Sequence, residues 1–249
     1  MYTDTLSNKV VSFEKEYKNF MSINSLPEYI LQAKRVSLSV AERQGFDTPA
    51  CTFYSPASDQ HTLVISTNIA VPRYILFHEF THILDTELYA KGDKARYACL
   101  SGFTEYHASQ VELVSMLNVE SIHSPFSFTM DTKIETLSGQ KSVSQYLDEK
   151  FQHAHELFSR SDFPANIETL KSALGVFYNY LGLRSICEMF SLDYNESCNY
   201  SIFFKHIPFT LFTILNRTMH GWLTPDQIEL SNRIYSSIIF PLIKKYQLA

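Results

Sequence analysis

The segment from Tyr74 to about Tyr89 constrains the fold more than any other part of the chain. It contains no glycine or proline, it follows Pro72, which suits the first turn of a helix, and it ends close to Gly92. Apolar side chains cover most of its circumference: Ile75, Leu76, Phe77, Phe80, Ile83 and Leu84. A helix that is apolar on nearly every side is typical of a domain interior. Its few polar residues therefore need a specific reason to be there.

Three of these polar residues belong to the string His78-Glu79-Phe80-Thr81-His82, an HExxH motif. Residues four apart lie one turn apart on the same helix face, so His78 and His82 can direct imidazole nitrogens at one Zn²⁺. Glu79 lies one position round from His78, which keeps its carboxylate off the ion and close to an attacking water as general base. The alternative is that both histidines hydrogen-bond to carbonyl groups of the core and that Glu79 is partly exposed.

A catalytic zinc site needs a third protein ligand and one open position. Glu105 is the first candidate, because it lies on a second predicted helix, from about Thr104 to Leu117, that can pack back across the first. Glu112 shares that face seven residues later and is the competing ligand, since the helix register decides which carboxylate reaches the ion. His107 lies about 200° round the helix from Glu105, so we expect it to pack or to face solvent.

Two further roles around the site stay open. Asp85, three residues after His82, either accepts a hydrogen bond from a liganding imidazole or is a solvated residue near the helix end. A hydrolytic site also needs a donor that stabilises the oxyanion. The candidates for that donor are Tyr97, Tyr106, His153, His155 and His220.

Composition limits the classes of partner and the compartment. The 249 residues carry a net charge of -5, and the densest basic cluster is Lys244-Lys245, which argues against binding of nucleic acid or an anionic membrane. The glycines form no dinucleotide or P-loop motif. The sequence shows no signal-peptide core and no membrane-spanning apolar run, and the four cysteines form no CxxC pair. These features predict a cytoplasmic protein with reduced cysteines and a protein partner.

The remaining patterns predict an α+β fold that is predominantly helical. Helical character runs from Leu6 to about Gln44 with a break near Pro27, and Cys51–Tyr54 and His61–Ser66 are predicted as a small antiparallel sheet. We expect an irregular or hairpin-like stretch near 124–139. The later segments predict helices at 143–158, 167–181, 185–190 and after Thr224, with a bend at Pro241. Residues 1–120 would form the core with the HExxH helix, and residues 121–249 a helical lobe that is a candidate for substrate recognition.

The chain resembles the ImmA/IrrE-like zinc metallopeptidases, which are common in bacteria, phages and mobile elements. The string from Phe77 to Asp85 followed by Glu105-x-x-Ala108 carries the resemblance, which covers about residues 70 to 117. It implies a gluzincin-type, zincin-like core in which His78, His82 and Glu105 bind Zn²⁺. It also implies cleavage of a specific regulatory protein of the host or phage, such as a transcriptional repressor. Some relatives carry a helix-turn-helix domain, but this chain shows no basic recognition helix, so we expect no direct contact with nucleic acid.

Two functions of other classes are compatible with the same residues. In the first, zinc is bound but the protein acts by binding or inhibiting a host protein through its C-terminal helical half, without proteolysis. In the second, the histidines are structural and the chain is a metal-free interaction domain. The metal content and the dependence of the biological effect on Glu79 distinguish these functions from a peptidase.

Overall fold

The computed structural model describes residues 2–35 and 49–248, which form an α+β structure with most residues in helices. This confirms the predicted class. The chain groups into two compact units, one formed by Met1–Tyr97 with Val111–Pro125 and the other by Ala98–Gln110 with Phe126–Ala249. The last of the three changes of unit along the chain, between residues 125 and 126, lies near the predicted boundary at 120, and residues 98–110 group with the later part of the chain.

The first unit contains a three-stranded sheet of β1 (Tyr29–Lys34), β2 (Ala50–Ser55) and β3 (Gln60–Ser66). The strand order is β1-β3-β2, with β2 antiparallel and β1 parallel to β3. Burial alternates along β3, where His61, Leu63 and Ile65 are buried, as expected for a strand with one covered face. The predicted antiparallel pair is confirmed.

Two helices of the first unit pack through aromatic rings. Helix α1 (Tyr2–Met21) buries Val10, Tyr17 and Phe20, which recur at helical spacing on one face. The rings of Tyr17 and Phe20 each lie 5.3 Å from the ring of Phe77 on helix α2 (Arg73–Tyr89). The Tyr17 hydroxyl lies 3.0 Å from Thr81 Oγ1, and burial raises the pKa of Tyr17 well above its usual value. These contacts fix the side of α2 that faces α1.

The predicted helix that follows Pro27 is wrong where the structure describes it. Residues Tyr29–Lys34 form β1, because pairing with β3 supplies their backbone hydrogen bonds and their exposure alternates at the start of the strand. The rest of that predicted helix, from residue 36 into Ala41, lies outside the described residues. Because the parallel partner of β1 is distant in sequence, the residues around β1 contain no local signal for this pairing.

Helix α2 matches its predicted bounds, whereas the next helix is longer than predicted. Helix α3 (Lys94–Met116) begins ten residues before Thr104, where its start was expected. Asp93 caps it, since its side chain accepts hydrogen bonds from the backbone N–H groups of Ala95 and Arg96. Residues of α3 belong to both compact units.

The second unit is built mainly from helices. The hairpin of β4 (Lys133–Thr136) and β5 (Gly139–Ser142) confirms the hairpin-like stretch. It is followed by α4 (Val143–Ser159), α5 (Ile167–Phe190), a 3₁₀ helix (Tyr200–Lys205), α6 (Phe209–Thr218) and α7 (Pro225–Tyr246). Helix α7 begins with the predicted capping box of Thr224 and Gln227, and continues through Pro241. The two predicted helices at 167–181 and 185–190 are one helix, α5, which passes through Gly182.

Most aromatic residues of the second unit lie in its core, including the fully buried Phe177, Tyr178, Tyr180 and Phe203. Phe204 and Phe209 differ, since 39% and 65% of their surface is exposed. No disulfide joins the four cysteines, and only Cys187 is buried. Within residues 2–35 and 49–248, no helix combines the length and apolar character needed to cross a membrane.

Candidate metal centre

Helix α2 presents His78 and His82 one turn apart, as the spacing predicts. Their ring centroids lie 4.7 Å apart, and both residues are only partly buried. Their neighbours in the motif, Glu79 and Thr81, are buried, as are the apolar residues of α2 on either side. The two imidazoles are thus partly exposed groups among buried neighbours on α2, which is the arrangement that a ligand pair requires.

The structure brings Glu105 of α3 to the two histidines. One ligand atom from each of His78, His82 and Glu105 lies within 4.8 Å of the others. In the described part of the chain this is the one group of three or more such side chains at metal-binding distance. The competing carboxylate, Glu112, is not a member of that group.

The donor set fits Zn²⁺. Two imidazole nitrogens and one carboxylate oxygen form a combination found in catalytic zinc sites, which keep the fourth position open. Ligands at about 2.0 to 2.2 Å from a tetrahedral ion lie about 3.4 Å from one another. A separation of up to 4.8 Å therefore has to shorten by at most about 1.4 Å, which side-chain rotation can provide.

Glu112, the competing carboxylate, contacts His78 at Nδ1. The sequence alone did not predict this contact. Its Oε2 atom lies 2.8 Å from His78 Nδ1, and both side chains are largely buried, with exposed fractions of 7% and 13%. Arg73 Nη2 on α2 donates a 2.7 Å hydrogen bond to the carbonyl oxygen of Ser115 on α3, which joins the same two helices. Glu112 therefore lies beside one imidazole, not at the common point of the three ligand atoms.

Glu79 is buried and has a hydrogen-bond donor that sequence reasoning missed. Thr52 on β2 donates from Oγ1 to Glu79 Oε2 over 2.9 Å. Only 5% of Glu79 is exposed, so the predicted alternative of a partly exposed carboxylate is wrong. The bond to Thr52 fixes one oxygen of the carboxylate, and the other can face the reacting groups. No motif in the sequence connects residue 52 to residue 79.

Two of the secondary predictions are also clarified. Asp85 is 1% exposed, which excludes the solvated position considered for it. Tyr106, one candidate for the oxyanion donor, donates its hydroxyl proton to the carbonyl oxygen of Gly221 over 2.6 Å. His220 Nδ1, on another candidate, lies 2.7 Å from Glu188 Oε2. The hydroxyl of Tyr106 is thus committed to the interior of its own unit.

Helix α5 packs against the part of α3 that carries Glu105. A Cβ atom at Gly175 would lie 3.4 Å from Glu105 Oε1, and one at Gly182 would lie well under 3.0 Å from the carbonyl oxygen of Tyr106. Ser109 Oγ donates to Asn179 Oδ1 over 2.7 Å between the same helices. Small residues on α5 therefore permit the close approach that sets the position of Glu105.

Comparison of the chain with protein-family models, curated proteins and solved structures finds no match.

Proposed function

We propose that this protein is a zinc-dependent endopeptidase of the ImmA/IrrE-like type, with His78, His82 and Glu105 as the metal ligands and Glu79 as the catalytic base. The observation that carries the proposal is the convergence of the three ligand atoms within 4.8 Å of one another. The HExxH spacing and the buried Glu79 beside His78 support the same assignment. A zincin-like core is part of this proposal.

The chain's own residues account for the proton transfers of peptide hydrolysis. A bound Zn²⁺ supplies Lewis-acid chemistry, polarising the scissile carbonyl and lowering the pKa of water. Glu79 accepts a proton from the attacking water and delivers it to the leaving amine. Thr52 donates to the ionised carboxylate, which holds Glu79 in the orientation that this transfer needs.

The substrate that fits the proposal is a regulatory protein of the bacterial cytoplasm, such as a transcriptional repressor. This assignment rests on the family resemblance of the segment from Phe77 to Ala108. The net charge of -5 supports a protein rather than a nucleic-acid partner. The exposed aromatics of the second unit, Phe204 and Phe209, are compatible with a role of its surface in recognition.

Chelation tests the proposed activity in a mixture of many bacterial proteins, so no single substrate has to be chosen. The purified chain is added to a bacterial lysate with Zn²⁺ or with excess chelator, and new protein N-termini are identified by mass spectrometry. We expect new termini in the zinc sample only. A lysate with zinc but without the chain controls for host peptidases, and equal termini in all samples would contradict the proposal.

A further inference from the structure

The contact between Glu112 and His78 suggests a role for a carboxylate that the hydrolytic scheme does not use. Both side chains belong to the first compact unit, and both are largely buried. An ionised carboxylate is costly to bury without a charged or hydrogen-bonded partner. The 2.8 Å separation between Glu112 Oε2 and His78 Nδ1 is an ion-pair distance, at which a rotation of the imidazole would align an N–H group with the carboxylate. Glu112 therefore lies directly against the imidazole of His78.

The chemistry of the two groups determines which of them carries the proton. An ionised carboxylate offers only lone pairs, so a ring nitrogen 2.8 Å away has to carry a proton for the contact to be attractive. If Nδ1 of His78 is protonated, the lone pair of the neutral ring is on Nε2. A metal ion binds the unprotonated nitrogen of an imidazole. The position of Glu112 thus selects the atom of His78 that can be a ligand.

We propose that Glu112 is a positioning residue, which holds His78 with Nδ1 protonated and presents Nε2 to the metal ion. This inference rests on the proposed zinc site but goes beyond its three ligands. Glu105 and Glu112 are two turns apart on one face of α3, so a single helix supplies a ligand and the support for a second ligand. Loss of such an outer partner typically lowers metal affinity by about 10- to 100-fold without removing the site.

Zinc affinity, measured by competition with a chromophoric chelator, tests the proposal without any substrate. We expect Glu112→Gln to bind one Zn²⁺ per chain with an affinity about 10- to 100-fold below wild type. Glu105→Gln should lower the zinc affinity further than Glu112→Gln does, because it removes a direct ligand. Glu120→Gln is the matched control, since Glu120 is exposed and lies on the same unit. Wild-type affinity in Glu112→Gln would overturn the inference.

The tautomer of His78 provides a second readout that a merely structural role of Glu112 would not move. Long-range ¹H–¹⁵N NMR of the zinc-loaded wild type, with the ring of His78 assigned through its backbone resonances, should show His78 protonated at Nδ1. Protonation at Nε2 would overturn the inference even if Glu112→Gln does not fold. A wild-type chain that binds no zinc would instead defeat the proposed function, so the two failures are distinguishable.

Discussion

Replacing Glu79 with glutamine is expected to leave zinc bound and to lower the rate of proteolysis by about 10²- to 10⁴-fold. Glutamine has nearly the same shape and can still accept the hydrogen bond from Thr52, but it cannot take a proton from the attacking water. The ligands are untouched, so metal content should equal that of the wild type. The readout is the abundance of new protein termini in host cells that produce either form.

Glu87→Gln is the matched control for this comparison. Glu87 lies on the same helix, but its Oε1 atom contacts Lys91 Nζ at 2.5 Å near the helix end. The control should produce the wild-type termini. Cleavage at the wild-type rate by Glu79→Gln would remove Glu79 from the mechanism. A full biological effect of Glu79→Gln, with its cleavage abolished, would favour a protein that acts by binding.

The second large effect is expected from Gly182→Ala, which should destabilise the second unit by about 3 kcal/mol. The added Cβ would lie well under 3.0 Å from the carbonyl oxygen of Tyr106, closer than side-chain carbons approach an oxygen in real structures. That oxygen is part of the α3 backbone and cannot rotate away, so the helices must separate. The loss outweighs the gain of about 1 kcal/mol that alanine brings to a helix interior. The melting temperature should fall by about 10 °C.

The same substitution at Gly175 provides the control, because both glycines lie inside α5. A Cβ at residue 175 would meet Glu105 Oε1 at 3.4 Å, which is close to an ordinary contact. Gly175→Ala should therefore be neutral or slightly stabilising by helix propensity. Thermal unfolding followed by circular dichroism compares the two variants with wild type. An equal melting temperature for Gly182→Ala and wild type would contradict the packing described for α5 and α3.

The parts of the fold that local chemistry controls were predictable from the sequence. Pro72 and the apolar residues around α2 define that helix, and Thr224, Pro225 and Gln227 define the start of α7. Strand β1 was not predictable, because the partner that stabilises it, β3, is distant in sequence and parallel. The sequence contains a local signal for the early start of α3, which is the N-cap residue Asp93. Because Asp93 follows closely after the end of α2, this signal did not predict a separate helix start.

The candidate site was likewise predictable from the sequence only where local geometry controls it. The i, i+4 spacing placed His78 and His82 correctly on one face of a helix, because that relation depends only on helix geometry. Whether Glu105 or Glu112 approached both histidines depended on how α3 packs, which only the structure provides. The hydrogen bond from Thr52 to Glu79 joins a strand to a helix across 27 residues, and no residue pattern encodes it.

Metal binding tests the central claim most directly. After incubation with excess Zn²⁺ and removal of free metal, elemental analysis should find about one zinc per wild-type chain. The His78→Ala, His82→Ala and Glu105→Ala variants should each retain far less, while His107→Ala should equal the wild type, because His107 stacks on Phe103 at a ring-centroid distance of 5.6 Å. A zinc-free wild-type chain, or full zinc content in the three ligand variants, would contradict the account.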